Sequence, residues 1–448
     1  FNTSRPLTGN VLPGRKVRIG AGSGSFPYAF PFFFSATPIW EGFLESLVPE
    51  PNLNKPNVAV LTATGPLGRL SQREVRIAMS TSVLTGTAIG NILDQVGWAA
   101  ADRAIDTGQT TMTRFWTEKT STLAALRLVE ETEVGYIGES KTGKIIFEDR
   151  HHRLAGGHLT SQMTLSDTSG LLYSGVRQED PLAEIFNIFE ASVQLYTVGS
   201  LAVQWTLSET GASSPYLEVG ESRTYWASVP NPDSAIDLVA VNAWTTPVAT
   251  TDYTANSASD GSGTDLTSSI GVAVSKFAQA MKITLTNNHA TLPGYITLLQ
   301  ARGTPVTAND PVKVEAIDTT SQGRYGERTW PVPAQFIPDT AEAQDYCNFL
   351  IGAYKDPRPR LSITFWTNRD VNLQLHALER EISDRITVIA TGSSGLGINE
   401  DFFIEAEHHV IDPHGLHQVT YELSPVAAFY GYWVLGTSKL DTETRLAY

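Results

Sequence analysis

Residues 401–425, DFFIEAEHHVIDPHGLHQVTYELSP, set the structural pattern for the whole chain. Apolar and polar residues alternate in two runs, Phe402–Ala406 and Gln418–Leu423, as they do in strands with one buried face. The runs are joined by residues 412–415, DPHG, a sequence typical of a tight turn. The stretch therefore predicts a β-hairpin.

Short alternating or β-branched runs of the same kind recur between turn residues along the 448-residue chain. They are Lys16–Ile19, Val58–Ala63, Lys144–Glu148, Ala235–Val241, Lys282–Thr286, Leu361–Phe365 and Arg385–Ile389. We therefore predict a mainly β fold with α+β insertions. No internal repeat of fixed period is evident.

Three segments instead carry apolar residues at helical spacing. The first follows a candidate N-cap at Thr87, and the second follows one at Ser121. The third and clearest begins with a capping box formed by Asp339 and Glu342. Cys347 lies on the apolar stripe of that third helix, so we predict a buried small hydrophobe rather than a nucleophile.

The length suggests about three domains at roughly 150 residues each, and shifts in composition suggest where the chain divides. We predict a β domain over 1–70, an α+β domain over 71–153, connecting strands over 154–215, a β-sandwich over 216–303, and a second β domain over 304–448 that includes the helix 339–355. The sandwich is assigned because its segment is rich in Ser, Thr, Asn and Asp and has alternating strands.

The charge balance limits the possible partners. The chain has 32 Lys and Arg against 47 Asp and Glu, a net charge of −15, with no basic cluster. Phosphate binding needs clustered cations, so we do not expect the chain to bind the backbone of DNA or RNA.

The single cysteine excludes a disulfide framework and a cysteine-based zinc site. The richest apolar run, Phe26–Phe34, is broken by prolines and falls short of the roughly 18 residues of a membrane span.

Two features suggest enzyme chemistry, and neither has the expected context. Residues 138–144, GESKTGK, match the start of a phosphate-binding loop, but Ile145 and a strand follow where Ser or Thr and a helix are needed. We interpret the segment as a β-hairpin with a polar tip. Glu131, Glu133, Glu148 and Asp149 could serve acid–base catalysis, but the sequence does not give the distances between them. We expect Glu131 and Glu133, which end a helix, on a solvated face. We predict no catalytic and no cofactor-binding residues.

Four histidines, His408, His409, His414 and His417, fall within ten residues. Imidazoles on facing strands of a hairpin could bind a metal ion. The favoured interpretation is half-buried strand histidines with one at the turn, because His408 and His409 point to opposite faces of the strand. We predict no metal site.

The order of several segments resembles that of the hub proteins at the tips of phage tails, a family often described as minor tail proteins. Residues 5–19, RPLTGNVLPGRKVRI, followed by 38–45, PIWEGFLE, resemble the opening barrel of that family. Further segments that resemble it are 85–98, 103–112, 125–153, 295–305, 321–332, 341–363, 382–388 and 401–425. Family members carry more barrel sequence before the position of Phe1, so we expect the first domain to lack upstream sequence.

The resemblance implies a structural protein of the virion without catalysis. Two tail-tube-like β-barrels, in 1–70 and 304–448, would let a homotrimer mimic a six-fold ring and adapt the hexameric tail tube to a three-fold tip. The helix 339–355 would back the second barrel. Expected partners are distal tail or tube proteins, the tape-measure protein, and tail-fibre or receptor-binding proteins. DNA would pass through the channel without specific binding, which suits an acidic chain.

Ring closure in this picture buries strand edges between subunits. Candidate ring-facing segments are Lys16–Ile19, Arg385–Ile389 and Gln418–Leu423. Two other functions are left open: a tail-associated wall hydrolase, and an adhesin that binds cell-surface glycan through aromatic residues of the predicted sandwich. Those aromatic residues are Tyr216, Tyr225, Trp226, Trp244 and Tyr253.

Overall fold

The computed structural model describes residues 13–21, 37–50, 58–229, 238–332, 334–412, 414–426, 432–433 and 445–446. The fold is mainly β and is built from several sheets with few helices, as predicted. The apolar run Phe26–Phe34 lies outside the described residues. None of the described helices is long and apolar enough to cross a membrane.

The strands, in chain order, are β1 (Lys16–Ala21), β2 (Thr37–Glu50), β3 (Val58–Thr64), β4 (Glu74–Leu84), β5 (Arg103–Ile105), β6 (Thr111–Ser121), β7 (Tyr136–Glu139), β8 (Ile145–Glu148), β9 (Thr164–Ser166), β10 (Leu171–Leu172), β11 (Gly175–Glu179), β12 (Ile188–Val193), β13 (Tyr196–Val198), β14 (Ala202–Thr206), β15 (Tyr216–Leu217), β16 (Ser222–Ser228), β17 (Leu238–Trp244), β18 (Tyr253–Asn256), β19 (Ile270–Lys276), β20 (Ala280–Asn287), β21 (Gly294–Ala308), β22 (Val312–Ile317), β23 (Thr329–Val332), β24 (Arg360–Trp366), β25 (Arg385–Ala390), β26 (Ile398–Ile411), β27 (His417–Pro425), β28 (Tyr432–Trp433) and β29 (Arg445–Leu446).

The α-helices are α1 (Pro66–Ser71), α2 (Thr85–Gln95), α3 (Thr122–Glu133), α4 (Thr319–Tyr325), α5 (Thr340–Tyr354) and α6 (Val371–Glu379). The three predicted helices correspond to α2, α3 and α5. Ser121 caps α3 by accepting a hydrogen bond from Ala124 N, and Asp339 caps α5 by accepting from two backbone amides. The predicted cap at Thr87 is wrong, because α2 begins two residues earlier and Leu84 takes the N-cap position.

An α+β unit packs its helices and strands around one large core. It contains α1, α2 and α3, the antiparallel pair β4–β6 and the small sheet β5–β8–β7. Its core includes Ile89, Met112, Phe115, Leu126 and Phe147, all essentially buried. The strands β7 and β8 form an antiparallel hairpin, so the hairpin interpretation of residues 138–144 is confirmed.

Seven strands form the largest sheet, in the order β10–β9–β25–β26–β27–β24–β11. Its strands β9 to β11 come from the segment expected only to connect domains, and the others come from the C-terminal part of the chain. Helix α6 covers this sheet, with Leu373 and Ala377 in the same core as Phe365 and Tyr421.

The long helix α5 lies elsewhere. Its apolar stripe, with Tyr346, Cys347 and Leu350, packs on the three-stranded sheet β22–β12–β23, against Phe189 and Val193. Two strands of this sheet, β22 and β23, come from the predicted second β domain over 304–448, and β12 comes from the predicted connecting strands. The expectation that this helix backs a second barrel stays a prediction. Cys347 is fully buried, as predicted.

Residues of the predicted sandwich form two sheets. One is β16–β20–β19, and the other is built along the 15-residue strand β21, which pairs with β13, β14, β15, β17 and β18. Met281, Ile283, Leu285 and Leu299 lie in the shared core. Strand β21 runs across the expected boundary at residue 303, and the division into domains stays a prediction.

Candidate functional site

Two three-stranded motifs with the same construction lie at opposite ends of the chain. The first motif is β1–β2–β3, and the second motif is β25–β26–β27 within the large sheet; both are antiparallel with the middle strand continuing into a long hairpin. Lys16 lies opposite Phe43 in the first motif, and Arg385 lies opposite Phe403 in the second. This register makes the two motifs comparable residue by residue.

The middle strands carry a β-bulge at the same place. In the first motif the register between β2 and β3 shifts between Leu44 and Ser46, leaving Glu45 as the extra residue. In the second motif the register between β26 and β27 shifts between Ile404 and Ala406. A bulge bends its strand and increases its twist, so the two hairpins change direction at equivalent positions.

The backbone enters both motifs through the same left-handed turn. Gly14 has φ 83° and Ser383 has φ 71°. Gly14 N donates to Leu44 O at 2.7 Å, and Ser383 N donates to Ile404 O at 2.8 Å. A positive φ is easy for glycine but uncommon for serine, so Ser383 is held there by its surroundings.

Side-chain contacts at the bulges match as well. Lys16 Nζ lies 3.4 Å from Glu41, and in the equivalent place Arg385 Nε donates to Asp401 Oδ2 at 2.7 Å. The guanidinium of Arg69 lies 4.2 Å from the centre of the Phe43 ring. In the second motif Arg153 lies 4.9 Å from the Phe403 ring, also as a cation–π contact. Both arginines come from outside the motif they contact.

The two motifs differ in what covers the hairpin face beyond the bulge. In the second motif Glu407 lies opposite Tyr421, and Tyr421 is fully buried beneath α6. The equivalent pair in the first motif is Leu47 opposite Leu61, and Leu61 is 52% exposed.

The tip of the β7–β8 hairpin connects the α+β unit to the second motif and lies against the first, where a Cβ on Gly143 would come within 3.1 Å of Glu41 on β2. Glu139 accepts a hydrogen bond from Leu67 N in the first turn of α1. Lys141 is buried; its Nζ donates to Ala377 O at 2.9 Å and to Arg380 O, and lies 3.0 Å from Glu407. A lysine at the last carbonyls of a helix completes their hydrogen bonding and matches the helix dipole. The polar tip of the phosphate-loop-like segment is thus a structural link.

The histidines of the β26–β27 hairpin join this link. His409 Nε2 lies 3.1 Å from Glu407, and His409 Nδ1 lies 2.9 Å from His417 Nε2. Burial lowers the pKa of His417 to about 4, and the nearby His409 and Lys141 act in the same direction. Among the residues that the structure describes, no group of three His, Cys, Asp or Glu side chains is arranged to hold a metal ion.

The carboxylates considered for catalysis have structural contacts. Glu133 is fully buried and accepts from Thr85 Oγ1 at 2.6 Å and from Thr110 N at 2.9 Å. The expectation of a solvated Glu133 is therefore wrong, because the end of α3 packs beneath the start of α2. Glu131 is exposed, as expected, and partial desolvation of its carboxylate raises its pKa.

Two of the three expected ring-facing segments are not sheet edges. The strands that contain Arg385–Ile389 and Gln418–Leu423, β25 and β27, lie inside the seven-stranded sheet and are paired on both sides. Their selection as edge segments is therefore wrong, because their backbone groups are already hydrogen-bonded. Strand β1 pairs only with β2 among the described strands, so Lys16–Ile19 lies at an edge.

Of the five aromatic residues expected to bind glycan, two are buried, two (Tyr216 and Tyr225) are partly buried, and one is exposed. Trp244 and Tyr253 are buried in the sandwich core. Trp226 differs, being 49% exposed and stacked on Phe277 with a centroid distance of 6.1 Å. Arg76 of the α+β unit lies against this aromatic pair, 5.0 Å from the Phe277 ring centre.

Comparison with known proteins gives no family model and no curated protein that matches the chain. Solved structures that align with it include a 43 kDa tail protein of prophage MuSo2 from Shewanella oneidensis, at 9% identity and a TM-score of 0.46, covering 92% of this chain and 89% of that one. Another is the tail protein from Neisseria meningitidis MC58, at 8% identity and a TM-score of 0.46, covering 87% and 81% of the two chains.

Proposed function

We propose that this chain is a structural protein of a phage tail, and specifically the hub of the tail tip. Three copies form a ring in which each copy contributes both motifs, so that six similar units surround a channel. The observation that carries the proposal is the duplicated motif: the turns at Gly14 and Ser383 and the matching bulges make the two ends of one chain equivalent building blocks. A trimer of a two-unit chain can match a hexameric tube.

The order of hub-like segments along the sequence supports the same function. It extends to the partners: distal tail or tube proteins on one side, tail-fibre or receptor-binding proteins on the other, and the tape-measure protein and DNA inside. The net charge of −15 suits a wall past which DNA moves without being bound. In this role the chain has no catalytic residues and resides in the virion at the tail tip.

Reconstruction of the intact particle tests the proposal. We expect three copies of this chain at the tail tip, with the first and second motifs alternating around the channel. A six-copy ring or a single copy at that position would contradict the hub function.

Trp226 favours a second candidate function, glycan binding by the tail tip, because its exposed indole can stack on a sugar ring. A glycan array probed with the wild-type protein and with Trp226→Ala tests it. Glycan binding that is lost in Trp226→Ala supports the adhesin function. If the wild-type protein binds no glycan on the array, the adhesin function is excluded.

A further inference from the structure

We infer that an apolar strip on the β2–β3 hairpin is the surface that binds a second copy of this chain. The strip consists of Leu47, Pro49, Ala59 and Leu61. Leu47 lies opposite Leu61 and Pro49 opposite Ala59, so all four side chains share one face of the hairpin. The inference rests on the proposed ring and identifies the surface that closes it.

In the second motif the equivalent face of the hairpin is covered by other parts of the same chain. Beyond its bulge the equivalent positions are Glu407 and Tyr421, followed by His409 and Val419. Helix α6 buries Tyr421 and Val419 in the core of the large sheet, and Lys141 neutralises Glu407. The covered face thus contains polar groups that are satisfied within the chain.

The first motif has the opposite chemistry on the same face. Its equivalents are leucine, proline and alanine, none of which needs a polar partner, yet Pro49 and Leu61 are exposed and Leu47 and Ala59 are only partly buried. Removing this apolar surface from water favours association. An exposed apolar strip on an extended hairpin is typical of a protein interface.

A second copy of the chain fits because the opposite end carries a different exposed apolar surface. We call it the tip patch: Val371 and Leu375, one turn apart on α6, with Ile411 and Leu416 at the tip of the β26–β27 hairpin. Asn368 joins these elements, since its side chain binds Gly415 O and His417 N just before α6 begins. Two unlike surfaces on one chain make a head-to-tail contact, which closes into a ring when the rotation allows.

Charge substitutions on the two surfaces test the inference. Leu61→Lys and Leu375→Glu each place a charge in one surface, and both residues are exposed, so the folded chain tolerates the change. Leu201→Lys is the matched control, because Leu201 is 48% exposed and lies in neither surface. Sedimentation velocity gives the association constant, and circular dichroism checks that each variant is folded.

We expect Leu61→Lys and Leu375→Glu each to weaken self-association by about tenfold or more, with Leu201→Lys close to wild type and partial recovery in the double variant Leu61→Lys/Leu375→Glu. A wild-type trimer that persists unchanged in Leu61→Lys overturns the inference and leaves the proposed function standing. Self-association of the wild type as a dimer that Leu61→Lys disrupts supports the strip and contradicts the three-fold ring. A wild-type chain that stays monomeric at about 100 µM contradicts the inference that the strip binds a second copy. The hub function is then tested separately by the particle reconstruction.

Discussion

Lys141 Nζ lies 3.0 Å from a carboxylate oxygen of Glu407, although the two residues belong to different parts of the fold. Lys141 is at the tip of the β7–β8 hairpin, and Glu407 is on the long strand β26. Both are largely shielded from solvent, so this ion pair and the two carbonyls that Lys141 also contacts form a polar junction between the α+β unit and the second motif.

Loss of that lysine should destabilise the junction. Lys141→Met keeps the length of the side chain but leaves Glu407 and the end of α6 without their partner, and we expect a loss of about 2–4 kcal/mol in the free energy of unfolding. Urea denaturation followed by circular dichroism measures it. Lys144→Met, on the exposed side of the same hairpin, is the control and should change stability by less than about 0.5 kcal/mol. Equal stabilities for the two variants would contradict a structural role for Lys141.

Acid should weaken the same junction through His417. Its pKa is about 4 in the folded chain, below the roughly 6.5 of an unfolded histidine, so the unfolded state binds the proton more readily. The stabilising contribution is complete above about pH 6.5 and is lost as the pH falls towards 4, by an amount on the order of 3 kcal/mol. Urea denaturation at several pH values measures this, and His417→Gln should flatten the dependence. An identical pH profile in that variant would assign the effect to other groups.

The left-handed turns give a paired test of the duplication. Gly14→Ala adds a Cβ that meets no neighbouring atom, so its cost is that of the backbone conformation alone, about 1–2 kcal/mol. Ser383→Gly relieves the same conformation and should be more stable than Ser383→Ala by about 1 kcal/mol, since both lose the hydroxyl contacts with Glu148 and Arg153. Thermal and urea unfolding of the three variants measures these differences in stability. A Ser383→Ala variant as stable as Ser383→Gly would show that the turn is unstrained.

Cys347 should be chemically inert in the folded chain. It is fully buried on α5, and burial raises the pKa of its thiol to about 11, so very little thiolate is present at neutral pH. An aromatic disulfide reagent at pH 8 should therefore react only after denaturant is added. Rapid reaction of the native protein would show that α5 opens readily.

The sequence predicted local structure well where one short pattern decides it. The β26–β27 and β7–β8 hairpins and the caps of α3 and α5 follow from alternation, turn residues and side-chain acceptors. It failed where a distant contact decides, as for Glu133, whose burial depends on α2 packing above it. The packing of α5 on β12, which comes from the segment expected only to connect domains, is likewise not encoded by spacing along the chain.

The resemblance to hub proteins implied two similar barrels in these parts of the chain, but the sequence shows no internal repeat there, for a related reason. The similarity between FLES at 43–46 and FIEA at 403–406 is only four residues long, and the connections between strands differ in length, so no fixed period results. Hydrogen-bond register and the turns at Gly14 and Ser383 make the duplication visible, and both are properties of the folded backbone.

The β7–β8 hairpin, with Glu139 on α1 and Lys141 on α6, has a geometric consequence. One two-stranded element is bonded near its tip to a helix beside each motif, and these bonds oppose rotation of one motif relative to the other. In the proposed ring, the angle between the two units of one copy would then be set within a single polypeptide. The curvature of that ring, and with it the width of its channel, would depend on the structure of the monomer as well as on contacts between subunits.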